Sequence, residues 1–228
     1  MSGPRHERLI WSPAVDFSSS PTLCEFMEDA ESPLKVVVGP VGSGKTRACV
    51  AEVGIHRPVL QKPNKDGVRR FRVVIGRATY PQLVTTTIVE WQEVFPVSIF
   101  PDFKKTPPME HNVSWPLSDG TRVDLHAIFM SFESPEDVKK LLSLNATCVW
   151  FNEIREIPRQ VVSQAIMRAM RYPPEGEEGQ TWFGVVGDTN PPFEGMWLYD
   201  YMTGRERAPG WKVYVQPPAV HEVEWREP

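Results

Sequence analysis

Cysteine is scarce and badly placed for pairing. The 228 residues hold three, Cys24, Cys49 and Cys148, far apart and with no Cys-x-x-Cys spacing. This argues against a disulfide framework and against a structural zinc site. The five histidines are scattered and add no metal-ligand spacing. Long apolar runs are missing too. The longest are four or five residues, as around Val36-Val37-Val38, too short to span a bilayer, so no membrane partner is expected. The opening MSGPRHERLIWSP has no apolar stretch like that of a signal peptide, which makes a cytoplasmic address the expectation. Nor does one charge sign dominate. With 25 basic and 29 acidic residues the net charge is −4, the wrong sign for a histone-like nucleic-acid binder. No internal repeat or low-complexity tract is visible.

What is present suits a soluble globular chain, at 41% apolar and 24% charged residues. Prolines gather in what read as loops, at Pro96 to Pro108, Pro173-Pro174, Pro191-Pro192 and Pro217-Pro218. Between them lie short β-branched runs without clean alternation: Lys35–Val38, Phe71–Ile75, Thr147–Phe151, Thr181–Val186 and Lys212–Val215. Runs of this kind suit strands buried on both faces of a mostly parallel sheet. Helical stretches separate them, Lys45 to Gly54, Tyr80 to Val94, Pro135 to Leu144 and Arg159 to Arg171, and the alternation predicts a wound α/β sandwich. Val113–Leu117 and Thr121–Met130, joined through Ser118-Asp119-Gly120, predict an added antiparallel hairpin. Residues 1–33 read as an N-terminal arm with a short helix around Thr22 to Ala30, 34–216 as the main domain, and 217–228 as a linker.

The strongest motif is Gly39-Pro40-Val41-Gly42-Ser43-Gly44-Lys45-Thr46. It fits G-x-x-x-x-G-K-[S/T] and lies between a predicted strand and a predicted helix, the context that a phosphate-binding loop requires. Glycines let the backbone form a nest of N–H groups aimed at phosphates. Lys45 can reach the β- and γ-phosphates of ATP, and the Thr46 hydroxyl can ligate Mg2+. A second element is Cys148-Val149-Trp150-Phe151-Asn152-Glu153, an apolar strand ending in a carboxylate. The usual ending of such a strand is Asp-Glu; here it is Asn152-Glu153. Asn152 can accept a hydrogen bond from a magnesium-bound water, but it brings no negative charge. Glu153 is the candidate general base or water-orienting residue; the plainer reading has it capping the strand or pairing with Arg155. The third element, Gly187-Asp188-Thr189-Asn190-Pro191-Pro192, puts Asp188, Thr189 and Asn190 at a strand end, where they could sense the γ-phosphate. Asp188 could also restore the charge lost at Asn152. An Asx-Pro turn is the alternative.

Together these elements resemble the ATPase domain of bacteriophage terminase large subunits, from about Leu34 to Pro217. The likeness is carried further by Arg77-Ala78-Thr79-Tyr80-Pro81-Gln82-Leu83, by Trp150 to Pro158, by Arg168-Ala169-Met170-Arg171-Tyr172-Pro173, and by the order of the motifs. The resemblance implies a three-layer, RecA-like P-loop NTPase of the additional-strand, catalytic-glutamate class. It implies ATP and Mg2+ as ligands, double-stranded DNA as the translocated polymer, and a portal protein and a small terminase subunit as partners. A homo-oligomeric ring on the procapsid, in the host cytoplasm, would be the working form, with a monomer expected in isolation. Family members usually carry a nuclease domain after the ATPase, so residues 217–228 would lead toward one absent from this chain, and no nuclease activity is expected of it.

A cationic side chain completes such sites. Arg77, Arg168 and Arg171 are the candidates by position, with Lys139 and Lys140 in the region where some relatives place a neighbour-facing arginine. Trp11, Pro13 and Phe17 of the arm could cover the adenine, although core packing is the ordinary fate of such aromatics. Trp91, Trp115 and Trp182 read as core. DNA contact would fall to Lys62 to Arg72 or to Lys104-Lys105, through phosphates and without sequence preference. Two other readings stay open: another RecA-like nucleic-acid motor or helicase domain, and a nucleotide-binding scaffold that does not hydrolyse ATP.

Overall fold

The computed structural model describes residues 15–177, 180–204 and 210–218. A single eight-stranded sheet forms its centre. Six of its strands run parallel, five of them β1 (Leu34–Val38), β2 (Val68–Arg77), β6 (Cys148–Asn152), β7 (Gly184–Thr189) and β8 (Trp211–Val215). β3 (Phe103–Lys104), β4 (Met109–Pro116) and β5 (Arg122–Ser131) extend it on one side. The order across the sheet is β3-β4-β5-β2-β6-β7-β1-β8. β5 runs parallel to β2, while β4 pairs antiparallel to β5 and β3 to β4. The predicted hairpin is therefore real and longer than the sequence indicated, closed by Leu117 and Thr121.

Every residue of β1, β6 and β7 is buried, which is why these strands read as mainly apolar runs rather than alternating ones. Alternate residues serve opposite faces. Val37, Cys148, Trp150 and Val186 belong to one core cluster, with Leu23 and Phe26 of α1 (Pro21–Glu28), Ala48 to Val50 of α2 (Lys45–Ala51), and Trp91 of the helical segment after β2. Val36, Val38, Val149, Phe151 and Val185 belong to the other, under Leu141, Val161, Val162, Ala165 and Leu198. Three layers result. α2 runs on through a π-helical turn, Glu52–His56, into α3 (Arg57–Leu60). The segment after β2 is built the same way, from α4 (Tyr80–Gln82) through Leu83–Thr87 to α5 (Ile88–Val94). α6 (Val138–Leu142), α7 (Arg159–Ala169) and α8 (Trp197–Met202) cover the second face.

One strand interrupts its apolar run, and the fold accommodates it. Lys35 in β1 is fully buried. Its ammonium donates to the carbonyls of Phe26 and Asp29 and to Glu52, at 2.7, 2.9 and 2.5 Å. Arg57 joins the same carboxylate at 2.5 Å and caps the Met27 and Asp29 carbonyls. The carbonyls at the end of α1 are thus tied to β1 and to the helical run after Lys45. The arm from residue 15 onward is part of the core at Leu23 and Phe26. Phe17 packs against that cluster; Trp11 and Pro13 lie outside the described residues. Trp91, Trp115 and Trp182 are buried, as the sequence suggested.

Candidate active site

β7 lies between β1 and β6. The strand bearing the glycine-rich loop and the strand ending in Asn152-Glu153 are therefore separated by one inserted strand, the arrangement that defines the additional-strand class. All three run parallel, so the ends that carry Gly39, Glu153 and Asn190 meet at one edge of the sheet. Ligand sites of open α/β sheets form at this carboxyl edge.

The loop has the shape its glycines were expected to give it. Gly42 and Gly44 sit at φ 76° and 80°, the left-handed region that side-chain-bearing residues avoid. Gly39 is packed so closely that a Cβ there would fall 2.8 Å from Ser43 Oγ and 2.9 Å from the Gln216 carbonyl oxygen. Its N–H donates to the Thr189 carbonyl at 3.1 Å, and the Ser43 N–H donates to Pro40. Val41 stands at the tip, 85% exposed. The Ser43 hydroxyl is buried with no hydrogen-bond partner among the described residues, an orphaned polar group facing the inside of the loop. Lys45 is 6% exposed and donates to the Pro40 carbonyl at 3.2 Å and to Asn190 Oδ1 at 3.0 Å. These features fit a triphosphate: an unmet donor, a backbone nest and a confined ammonium.

Thr46 Oγ1 donates to Asp188 Oδ2 at 2.7 Å. Its proton is committed there, which leaves the oxygen lone pairs for a cation. Asp188 is fully buried and accepts two further bonds, from the Trp150 indole N–H at 2.8 Å and from Asn152 Nδ2 at 2.9 Å. Burial pushes its carboxyl up to about 6; the bonds from Thr46 and Trp150 oppose that, and the neighbouring Glu153 charge adds to it. Among the described residues no three His, Cys, Asp or Glu side chains gather into a metal cluster. Mg2+ needs none, since it is commonly held by one or two protein oxygens, substrate phosphates and water.

Asn152 does not present its oxygen to this site. Oδ1 accepts from Thr87 Oγ1 at 2.8 Å and from Arg77 Nη1 at 3.2 Å, and the side that faces Asp188 is the NH2 donor. The expectation that Asn152 accepts a hydrogen bond from a metal-bound water is therefore corrected: its acceptor is already used. Thr87 carried no motif signal, and only the fold brings it here. Arg77, the last residue of β2, does reach this edge, where it also lies 3.6 Å from Glu156.

Glu153 is the one non-glycine residue at positive φ among those described, at φ 53° and ψ 55°. The left-handed turn swings its side chain toward the end of β7. There Oε2 accepts from Thr189 Oγ1 at 2.9 Å and from the Asn190 N–H at 3.2 Å, with Arg155 Nε at 3.4 Å. Asn190 thus contacts Lys45 through its side chain and Glu153 through its backbone.

Arg171 and Arg168 are not brought to the site. α7 starts at the carboxyl edge after β6 and returns alongside the sheet, so its far end reaches the amino edge. The Arg171 N–H donates to the Ala146 carbonyl, and the Arg168 carbonyl accepts from Ala146, just before β6 begins. The length of β6, about 16 Å, separates them from Glu153. The expectation of Arg171 as a catalytic residue within one chain is corrected on that ground. The basic stretch changes too. Arg69 and Arg72, expected among the DNA-contacting residues, lie in β2 and have partners within the chain: Arg69 is held by Asp119, Thr121 and two carbonyls, and Arg72 lies over the Tyr172 ring at 4.1 Å. Among the described residues no helix is long and apolar enough to cross a membrane.

No protein-family model matches the sequence, and no curated protein matches it. Solved structures do match. The large terminase of a thermophilic bacteriophage, in complex with ADP, aligns with TM-score 0.59 and 11% identity, covering 86% of this chain and 45% of that one. The same protein in complex with ATP-gamma-S gives 0.55 and 10%, over 86% and 44%. The ATPase domain of the Thermus phage P74-26 large terminase gives 0.50 and 14%, over 85% and 79%. The chain spans less than half the length of the first of these terminases. At such identities the likeness is one of fold, and the chain has the α/β P-loop fold of phage large-terminase ATPase domains.

Proposed function

We propose that the chain is an ATPase that drives translocation of double-stranded DNA into a viral procapsid, as the motor domain of a terminase large subunit. The observation that carries the hydrolytic reading is the pair of contacts made by Asn190, to Lys45 and to Glu153. They tie a phosphate-binding lysine, through the Asn190 side chain, and a carboxylate, through the Asn190 backbone N–H, to one residue at the carboxyl edge of the sheet. The packaging role rests on the fold likeness and on the order of the motifs. The thermophilic-phage terminase was solved with ADP and with ATP-gamma-S, which supports the same ligand class here.

The residues would share the work as follows. The loop N–H groups and Ser43 bind phosphate oxygens, and Lys45 turns from Asn190 and Pro40 to the β- and γ-phosphates. Thr46 would hold Mg2+, which would supply charge to offset the phosphates. Glu153 takes the proton of the attacking water as its oxygen bonds to the γ-phosphorus and the bond to the β-bridging oxygen breaks. The leaving ADP oxygen departs toward the loop. Thr189 and Asn190, which hold Glu153, register whether a γ-phosphate is present. Portal, small terminase subunit and a ring of copies would be the assembly partners in the host cytoplasm. Arg77 would be the cationic group within the chain; Arg171, at the far edge, could act only on a neighbouring copy.

A specific observation favours one other reading. The Asn152 oxygen is occupied by Thr87 and Arg77 and its NH2 is turned to Asp188, as they would be in a scaffold that binds nucleotide without turnover. Phosphate release from purified protein separates the two. Turnover in the wild type, lost in Glu153→Gln with nucleotide still bound, supports the ATPase; no release at any protein or DNA concentration, with nucleotide bound, sinks it.

A further inference from the structure

We infer that Asp188, on β7, is the metal-side carboxylate of this site, and that Asn152 is a strut that holds it. The usual charge has moved one strand toward the phosphate loop. This rests on the ATPase reading above and adds to it the group that faces Mg2+.

Three observations carry the inference. Asp188 is the carboxylate hydrogen-bonded to Thr46, at 2.7 Å, so it both fixes the hydroxyl and strengthens it as a ligand, as outer-shell carboxylates do for other metal ligands. Asn152, at the strand end where an acid would ordinarily stand, turns an N–H donor toward Asp188. A donor next to a cation would repel it, whereas a donor next to a carboxylate holds that carboxylate in place. The remaining oxygen of Asn152 is occupied by Thr87 and Arg77. A chain of bonds therefore runs from Arg77 at the end of β2, through Asn152, to Asp188 and Thr46. A carboxylate has about four acceptor positions, and three on Asp188 are used, by Thr46, Trp150 and Asn152. One remains for a water of the metal shell. Two carboxylates side by side at 152 and 188 would repel one another in this buried place, so the asparagine is what lets the acid sit on β7.

The test reads metal-dependent nucleotide binding. Affinity for a fluorescent ATP analogue is measured in EDTA and against Mg2+ concentration, and Mn2+ occupancy is counted by its paramagnetic resonance. The proteins are the wild type, Asp188→Asn, and Asn152→Asp/Asp188→Asn, which returns the charge to β6 at the same net charge. In Asp188→Asn the gain in affinity conferred by metal should fall about 10- to 100-fold, while binding in EDTA stays within a few-fold. The exchanged variant should recover much of the gain. Metal dependence unchanged in Asp188→Asn overturns the inference and leaves a purely structural role for the residue. If Asp188→Asn does not fold, Asp188→Ser supplies an uncharged acceptor for the same comparison. A wild type that binds no nucleotide under any condition overturns the nucleotide reading itself, a separate outcome.

Discussion

Lys45 Nζ donates to the side-chain oxygen of Asn190 at 3.0 Å, 145 residues away in sequence. The same residue's backbone N–H donates to Glu153 at 3.2 Å. Lysine and glutamate are therefore positioned by one residue at the end of β7, which lies between β1, whose loop leads to Lys45 at the start of α2, and β6, which ends just before Glu153.

That relationship makes Asn190→Ala informative. Removing the side chain frees Lys45, but the backbone bond to Glu153 survives. Nucleotide affinity should change by no more than a few-fold, because the loop still provides the phosphate nest. Turnover should fall about 10- to 100-fold, the scale on which small misplacements near the reacting groups act. Single-turnover phosphate release set beside equilibrium nucleotide binding checks this; equal losses in both would mean that Asn190 merely supports the loop.

Glu153 carries backbone strain at φ 53°. Left-handed backbone costs a side-chain-bearing residue roughly 1–2 kcal/mol, and such outliers persist where the surroundings over-determine them. The bonds to Thr189 and Asn190 do so here. Glu153→Gly relieves the strain while losing those bonds, so urea unfolding should place it within about 1 kcal/mol of the wild type. Activity should nonetheless be abolished. A loss of several kcal/mol would mean that the carboxylate is chiefly structural.

Much of this was legible in the sequence, and the reason is local. β1, β6 and β7 announce themselves because a strand buried on both faces reads as an apolar run, and the phosphate loop because its backbone shape needs glycines at fixed spacing. β8 was expected to be buried in the same way, but it lies at the sheet edge with Lys212 and Val215 exposed. What was not legible depends on partners far apart in the chain. Nothing near Asn152 indicates that Thr87 and Arg77 occupy its oxygen, 65 and 75 residues away. In the sequence Lys35 is only the first residue of a predicted strand, and nothing beside it indicates its burial, because its partners Glu52 and Arg57 come from the next helical run. Arg171 is a different kind of miss. Its motif drew attention to the residue type, while the path of α7, from carboxyl edge back to amino edge, had already fixed where its end must lie.

The buried Lys35–Glu52–Arg57 group is a stability hub. Glu52 is fully buried; burial alone would raise its pKa, yet His56, Lys35 and Arg57 hold it below the ordinary glutamate value. Replacing it with alanine leaves two cations buried without their counter-charge, at a cost of about 3–5 kcal/mol. The sign with pH follows. A depressed carboxylate contributes stability that is present above its unfolded value of 4.5 and lost as pH falls through its folded value. Urea titrations should therefore show Glu52→Ala destabilised most at neutral pH, with the gap to the wild type narrowing as the solution is acidified below 4.5. A gap that is constant with pH would mean that packing, not charge, is what Glu52 supplies.

Asp188 has the opposite sign. Burial raises its carboxyl from 3.8 to about 6, so the folded protein holds this proton more tightly than the unfolded chain does. Its contribution is fully present below 3.8 and lost as pH rises through about 6. The gap between the two values corresponds to about 3 kcal/mol. Asp188→Asn cannot titrate there, and it also rearranges the bonds from Thr46 and Trp150, which shifts its stability by an amount independent of pH. The quantity to follow is therefore the difference between variant and wild type in EDTA. As pH rises from 4 to 7, that difference should move in favour of the variant by up to about 3 kcal/mol, with most of the change between 4.5 and 6.5. The depressed carboxylates, Glu52 among them, cancel in the comparison because both proteins carry them. Mg2+ with nucleotide should then erase the effect in the wild type, since a cation near Asp188 favours the ionised form. A difference that does not vary with pH would show that Asp188 is not strained by its charge, and that its place beside Thr46 is one of hydrogen bonding alone.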